Sequence, residues 1–494
     1  MMHLPGVLRT VGLTLASAGL VTAATFTTAT ARLAAPHQRA GLPQTSSVLV
    51  SEVTLICPGQ SRQGAEGLRA IRGSVRAAVV APPAGLVPGV DPARAGRVEL
   101  TGIPSSTTLA SSSDRGRAVT AVVDPKQTTD AVAAHATGSL APGLVATQVW
   151  AHSGDDDQGL AVTPCSAPSA DLWLVGGGGG PNRTERLVLT NPGANAVSVR
   201  LDVLGVAGRV DGAGDRSISI PPRSREVVSL DAVAPGEAAP AVHVVATGGM
   251  VSGVLVDSWI DGATARGTDD ATGSVTPGTD LVVPPVTVDG AATLRLVNPG
   301  ATEALVQVRL VTSKGGVQPE ALRAVRVPPA STKDVALTGL AKGLTGVHIR
   351  SDQPVTAASW VERRAVSGAD RVGDFGWVPA TAPVQTLAGM AMQSGQAGGL
   401  DAELGLVSLA GGTATVTIVR GTTTTSRVVT LGPESVTSVR LGRADQVWVG
   451  PVTGDVRAAV SVFGGASTAP YFSVAALRGA PITALSRPVR QVGS

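Results

Sequence analysis

The sequence predicts an all-β protein made of three or four tandem immunoglobulin-like β-sandwich modules behind an N-terminal export or anchor segment. Three observations carry that expectation. Apolar residues alternate with polar ones at period two, Gly/Pro/Asn turns separate the alternating runs, and one strand-and-turn phrase recurs roughly every hundred residues. The composition agrees. At 494 residues the chain exceeds a single core. Hydrophobic residues reach 43% while aromatics are only 2%, so Val, Leu, Ile and Ala must fill the interior. Gly 61 and Pro 34 stay below the roughly 25–30% that marks low-complexity disorder.

From the N-terminus, Val11 to Ala31 runs without a charge, and Ala29-Thr30-Ala31 has the small-x-small form of a signal-peptidase site. Residues 1–31 are therefore expected to be a signal peptide or a retained membrane anchor. Either would place the rest outside the cytoplasm. There Cys57 and Cys165 are expected to form a disulfide, since two cysteines alone supply too few ligands for a metal.

The clearest repeat pairs Leu187 to Gly193 (LVLTNPG) with Leu294 to Gly300 (LRLVNPG). Pro restricts φ and Gly supplies a positive one, so the strand turns there. Alternating runs follow, Val197 to Val203 and Val306 to Leu310. Next come Ile220-Pro-Pro-Arg-Ser224 and Val327-Pro-Pro-Ala-Ser331, then Val242-His-Val244 and Val347-His-Ile349, and last the strands at Trp259 and Trp360. A weaker copy starts at Leu404 and holds Leu431-Gly-Pro-Glu-Ser435, Val447-Trp-Val449 and Phe463. A divergent one begins at Leu55-Ile-Cys-Pro-Gly59 and reaches His135 and Trp150. The expected modules are 47–168, 171–265, 281–365 and 400–480. Gly262 to Asp280 and Val366 to Gly399, polar or Gly-rich, read as linkers, with Trp377 positioned to dock against a neighbour.

Reactive constellations are scarce. His135, His243 and His348 recur at one place in the repeat, which indicates a role in the fold. The loop around Asp155, Asp156 and Asp157 is the candidate recognition loop; its consecutive carboxylates lack the alternate spacing of a calcium loop. Gly176 to Gly180 lacks the Lys-Ser/Thr of a phosphate loop and reads as a flexible entry to the next module. Gly-x-Ser-x-Gly, His-Glu-x-x-His and Cys-x-x-Cys are all absent. Trp150, Trp259 and Trp360, one per copy, read as core residues rather than sugar platforms. No catalytic, cofactor-binding or metal-binding residue is expected, and no cofactor. A net charge of +3 with scattered basic residues argues against nucleic acid.

The leader, Cys57-Pro-Gly59, Ala141-Pro-Gly-Leu144 and Asp171-Leu-Trp173 together resemble a family of exported actinobacterial proteins known as a domain of unknown function. The resemblance implies location and architecture and transfers no catalytic residue. The expected role is a non-catalytic envelope scaffold or binding array whose partner is an envelope protein or cell-wall glycan. The competing expectation is an envelope hydrolase or glycan-binding protein with its site at a module interface.

Overall fold

A computed structural model describes residues 46–60, 74–123, 129–152, 158–180, 182–212, 217–366, 371–393 and 399–486. Strand accounts for 67% of it and helix for 2%, so the all-β, sandwich-type expectation holds. The short strands Ser46–Leu49 and Thr483–Ser486 pair with each other. Residues 49–482 form the large unit.

Alternation builds the sheets as anticipated. In Val197–Gly205, Val197, Val199, Leu201 and Val203 are buried while Ser198 and Arg200 face water. Asp202 departs from the pattern; it is buried beneath the guanidinium groups of Arg200 and Arg209. Two four-stranded sheets enclose the first core, where Leu55, Val79, Leu100 and Trp150 pack around the Cys57–Cys165 disulfide. Closing a loop of 108 residues stabilises this core by up to about 4.7 kcal/mol in the chain-entropy model.

The later sheets curl because single strands serve two faces. Thr264–Ser274 pairs with Ser252–Asp261 on one side and with Asp171–Val175 on the other. The 22-residue strand Gly343–Arg364 pairs through its first part with Ala304–Thr312 and through its second with Ala292–Asn298. Asp401–Arg420 divides in the same way between Arg457–Ala466 and Gln446–Gly454.

The recurring phrase is a hydrogen-bonded bracket. Asn298 is fully buried; its Nδ2 donates to Thr302 O (2.8 Å), Val327 O (3.1 Å) and Pro328 O (3.0 Å), and its Oδ1 accepts from Gly300 N. Asn191 repeats every contact with Asn195, Ile220, Pro221 and Gly193. One amide thus ties the first turn to the proline turn some thirty residues on. That second turn also has one geometry in three copies. Arg223, Ala330 and Glu434 hold φ of 48°, 49° and 45°, and the following Ser224, Ser331 and Ser435 each donate back to the carbonyl three residues earlier.

The two segments read as linkers contain strands that belong to the sheets, which corrects that reading. They contain Thr264–Ser274, the start of Gly278–Val288, Gly373–Pro379 and Ala388–Ala391. Thr264–Ser274 and Gly373–Pro379 belong to a set of four return strands, each paired with the strand before it; the others are Gly159–Pro164 and Ala469–Leu477. These four pack in a closed circuit: Gly159–Pro164 and Gly373–Pro379 each lie against both Thr264–Ser274 and Ala469–Leu477. Nearly every residue of Gly373–Pro379 and Ala469–Leu477 is buried, so period two disappears there.

The glycine run also differs from expectation. Gly176 to Gly178 are buried, and Gly176 and Gly177 present their carbonyls to Arg295 Nη1 at 3.0 and 2.9 Å. A Cβ on Gly176 would lie 2.6 Å from the Ala271 side chain, and one on Gly177, at φ +80°, 2.6 Å from Glu185 Cγ. Close approach, not flexibility, requires glycine here.

The bracket predicts a specific loss. Asn298→Ala strands three carbonyls and one amide and should lower unfolding free energy by about 2–4 kcal/mol. Asn298→Asp, equal in shape but turning an acceptor toward those carbonyls, should cost at least as much. Urea denaturation measures both, and an unchanged midpoint in either would contradict the bracket.

Candidate functional site

Two polar assemblies stand out, one sealed and one open. The sealed one lies where the four return strands meet. The Asp374 carboxylate accepts the backbone amides of Leu160 and Phe472 on Oδ2, both at 2.9 Å, and those of Phe375 (3.1 Å) and Thr268 (3.3 Å) on Oδ1. Asp269 takes Trp377 N at 2.7 Å and the Ser473 hydroxyl at 2.9 Å, while Asp270 takes Thr163 Oγ1 at 2.5 Å. Val162 N donates to Ser473 Oγ across 311 positions of sequence. All four strands are therefore joined by carboxylates and a hydroxyl rather than by ladder pairing.

Arginines extend the assembly outward. Arg183 forms a two-pronged pair with Asp257 (2.8 and 2.6 Å), whose Oδ2 also accepts Trp377 Nε1 at 2.8 Å. Arg295 forks onto Asp334, donates to Gly176, Gly177 and Pro240, and lies 5.1 Å over the Trp377 ring. Trp377 thus docks on the neighbouring core, as its isolated position suggested. Burial pushes the Asp269 and Asp374 carboxyls up, against the pull of the amides that point at them. Burial, with the nearby Asp257 charge adding to it, raises Glu185 to about 7; burial raises Asp270 to about 6. The sealed position and the number of protein donors on each oxygen make this a structural lock.

The open assembly is a polar cleft of about 250 Å³ lined by Gln307, Arg309, Gln318, His348, Arg350 and Glu434. Strand register builds most of it. Arg309 stands opposite His348 and Gln307 opposite Arg350, so the two cross-strand pairs share one face. Glu434 arrives from Thr423–Arg440, next to a different core, and pairs with Arg309 Nη2 at 2.7 Å. Gly316 permits that approach, since a Cβ there would lie 2.5 Å from Glu434 Oε2 and 2.8 Å from Arg309 Nη2. At the floor, His348 is 2% exposed, its Nε2 is 3.0 Å from Asp280 Oδ1, and its Nδ1 has no hydrogen-bond partner. Burial lowers the His348 pKa, so the ring is neutral near pH 7.

The other sequence-selected residues fall as follows. His243 stacks on Trp173 at 4.1 Å, and His135 bonds Thr54, which fits the fold role given to both. His348 shares that place in the repeat yet also floors the cleft. Trp150 is core, whereas Trp259 and Trp360 are half-buried against each other, with Arg183 5.5 Å from the Trp259 ring. Cys57 and Cys165 are joined as expected. Asp155, Asp156 and Asp157 lie outside the described residues. No sequence motif marks the cleft, because its residues come from four separated segments. Among the described residues no group of three or more His, Cys, Asp and Glu is placed to hold a metal ion, and no helix is long and apolar enough to cross a membrane.

Comparison with known proteins gives a family without an assigned activity. The family model DUF5719, described as a family of unknown function, matches residues 118–442, well over half of the sequence. The chain belongs to this family. The matched stretch takes in the return strands Gly159–Pro164, Thr264–Ser274 and Gly373–Pro379 and every residue that lines the cleft. No curated protein matches by sequence. Among solved structures the chain is similar to Thermotoga maritima 1070, at 14% identity over 21% of this chain and 95% of that one, with a TM-score of 0.18. It is similar also to a tetra-tandem repeat from the extending region of a large adhesion protein (16% identity, 78% and 92% covered, TM-score 0.11) and to Escherichia coli alpha-2-macroglobulin (11%, 87% and 44%, 0.12). At such TM-scores these likenesses carry nothing about function.

The lock makes stability depend on pH with a definite sign. A carboxyl whose folded value lies above its unfolded one, near 4 for both residue types, keeps its proton in the native state where the unfolded chain has lost it. Native protein then binds more protons, and stability falls as pH rises. The thermal midpoint should decline as pH rises from about pH 4 through the range where Glu185 titrates, near 7, and go on falling above it, because burial also holds Asp269 and Asp374 well above the usual carboxylate range. Asp270→Asn should remove that residue's own share of the decline, between about pH 4 and pH 6, on the order of 2–3 kcal/mol. Calorimetry across that range checks the trend, and a midpoint that climbs throughout would contradict it. Asp374→Asn turns an amide donor toward two of the four backbone amides and should cost on the order of 3 kcal/mol in urea denaturation.

Proposed function

We propose that the chain is a non-catalytic, extracytoplasmic array of β-sandwich modules that acts as a scaffold or binding body in a bacterial envelope, its partner an envelope protein or cell-wall glycan. The observation that carries this reading is the lock. Its carboxylates, the chemically conspicuous groups of the interior, are spent on backbone amides and on joining one return strand to the next. Such an arrangement holds several cores at fixed spacing and leaves outer loops and the cleft free for recognition. The buried disulfide supports an oxidising compartment, in line with the leader-like start of the sequence and with the exported actinobacterial proteins it resembles.

Native-host fractionation with crosslinking, followed by incubation of the purified protein with isolated cell wall, tests the reading. Oxidised protein recovered with the envelope, bound to wall or to a stable protein partner without release of sugar ends, is the expected result. Recovery from the cytosol with reduced cysteines, or release of soluble wall fragments, would overturn it.

A further inference from the structure

We infer that the cleft lined by Gln307, Arg309, Gln318, His348, Arg350 and Glu434 is a binding site for one ring of a neutral saccharide, an inference that rests on the binding-array reading and gives it a ligand class. Size comes first. A cleft of about 250 Å³ lies below the roughly 300–1,000 Å³ of pockets for drug-sized ligands. It suits a single small polar unit, and being open it lets a longer chain continue into solvent.

Charge comes second. The guanidinium of Arg309 is matched by Glu434, and that of Arg350 lies 3.6 Å from Asp280, so the cleft carries no surplus of either sign. An anion gains little from such balance.

The hydrogen-bonding inventory decides between the remaining ligands. Gln318 spends its Nε2 on Val308 O and Leu322 O, which leaves its amide oxygen as an acceptor. Glu434 binds Arg309 through Oε2 and retains Oε1. With Nε2 directed at Asp280, His348 closes the floor, its Nδ1 buried beneath the cleft surface. The remaining guanidinium hydrogens of Arg309 and Arg350 and the Gln307 amide are donors. A carboxylate only accepts, and phosphate, though it keeps a hydroxyl hydrogen near neutral pH, presents mostly negative oxygens to Gln318 and Glu434. A sugar hydroxyl donates and accepts at once, so adjacent hydroxyls on a ring satisfy both kinds of wall. The cleft is also supported from two cores, since Glu434 closes a face made by Ala304–Thr312 and Gly343–Arg364.

Saturation-transfer NMR on the full chain tests the inference with glucose, galactose, mannose, N-acetylglucosamine and their β-linked disaccharides, and with acetate as an acceptor-only probe, while phosphorus NMR line broadening follows inorganic phosphate as a second anion. At least one neutral sugar should saturate. Gln307→Ala and Arg350→Ala, both at exposed positions, should each weaken it at least tenfold with unchanged thermal midpoints. Gly316→Ala, which removes no charge but displaces the Arg309–Glu434 pair, should do the same. Binding of phosphate or acetate in preference to every sugar overturns the inference, as does a panel in which no sugar saturates, or sugar binding that all three variants leave intact. Envelope retention without sugar binding would sink this inference and leave the array reading standing, whereas wall hydrolysis would sink the array.

Discussion

A carboxylate buried among four strands must find donors, and in this protein it finds them on strands other than its own. Asp374 is fully buried, and three of its four amide partners lie outside Gly373–Pro379, on each of the other return strands. An unpaired charge in that position would cost several kcal/mol. The same cost enforces geometry, because each strand must present its backbone at one height and angle. The separate cores become a single body through hydrogen bonding with fixed directions, where apolar contact alone would allow sliding.

Each core in turn depends on how its first turn is tied down. Asn191 and Asn298 solve this with a buried amide. At the corresponding place in the phrase the first core carries Cys57, bonded to Cys165, and the last carries Ser408, whose hydroxyl bonds Asp455 while Asp455 also accepts Leu409 N and Ala410 N. Three chemistries meet one requirement: the end of a buried strand must be anchored where its polar backbone would otherwise lack partners. This explains why the copies drift in wording while keeping their spacing. The copy at Leu294 has Arg295 where the copy at Leu187 has Val188, and that change fastens its core to the one before it.

Much of this was legible in the sequence. Period-two runs located the strands, the Asn-Pro-Gly and Pro-Pro phrases located their turns, and the paired cysteines were foreseen. What failed was the equation of polarity with exposure. Thr264–Ser274 reads TARGTDDATGS and looks like a linker, yet Asp269 is 2% exposed. Composition cannot distinguish a carboxylate in water from one capped by amides hundreds of residues away. The glycine run failed for a related reason, since close packing and flexibility select the same residue. The cleft was hidden because Glu434 and His348 become neighbours only through packing between cores.

Closure of the return strands also governs the order in which the molecule can mature. Gly159–Pro164 rests against Ala469–Leu477, and Val162 waits for Ser473. Individual sandwiches can collapse as their strands emerge, but the centre stays incomplete until the polypeptide is present through position 477. Contacts that bridge so much sequence form slowly, after local pairing. A polypeptide delivered from one end would thus carry a half-built, water-exposed set of carboxylates until its final strand arrives, and assembly finishes in one late step instead of module by module.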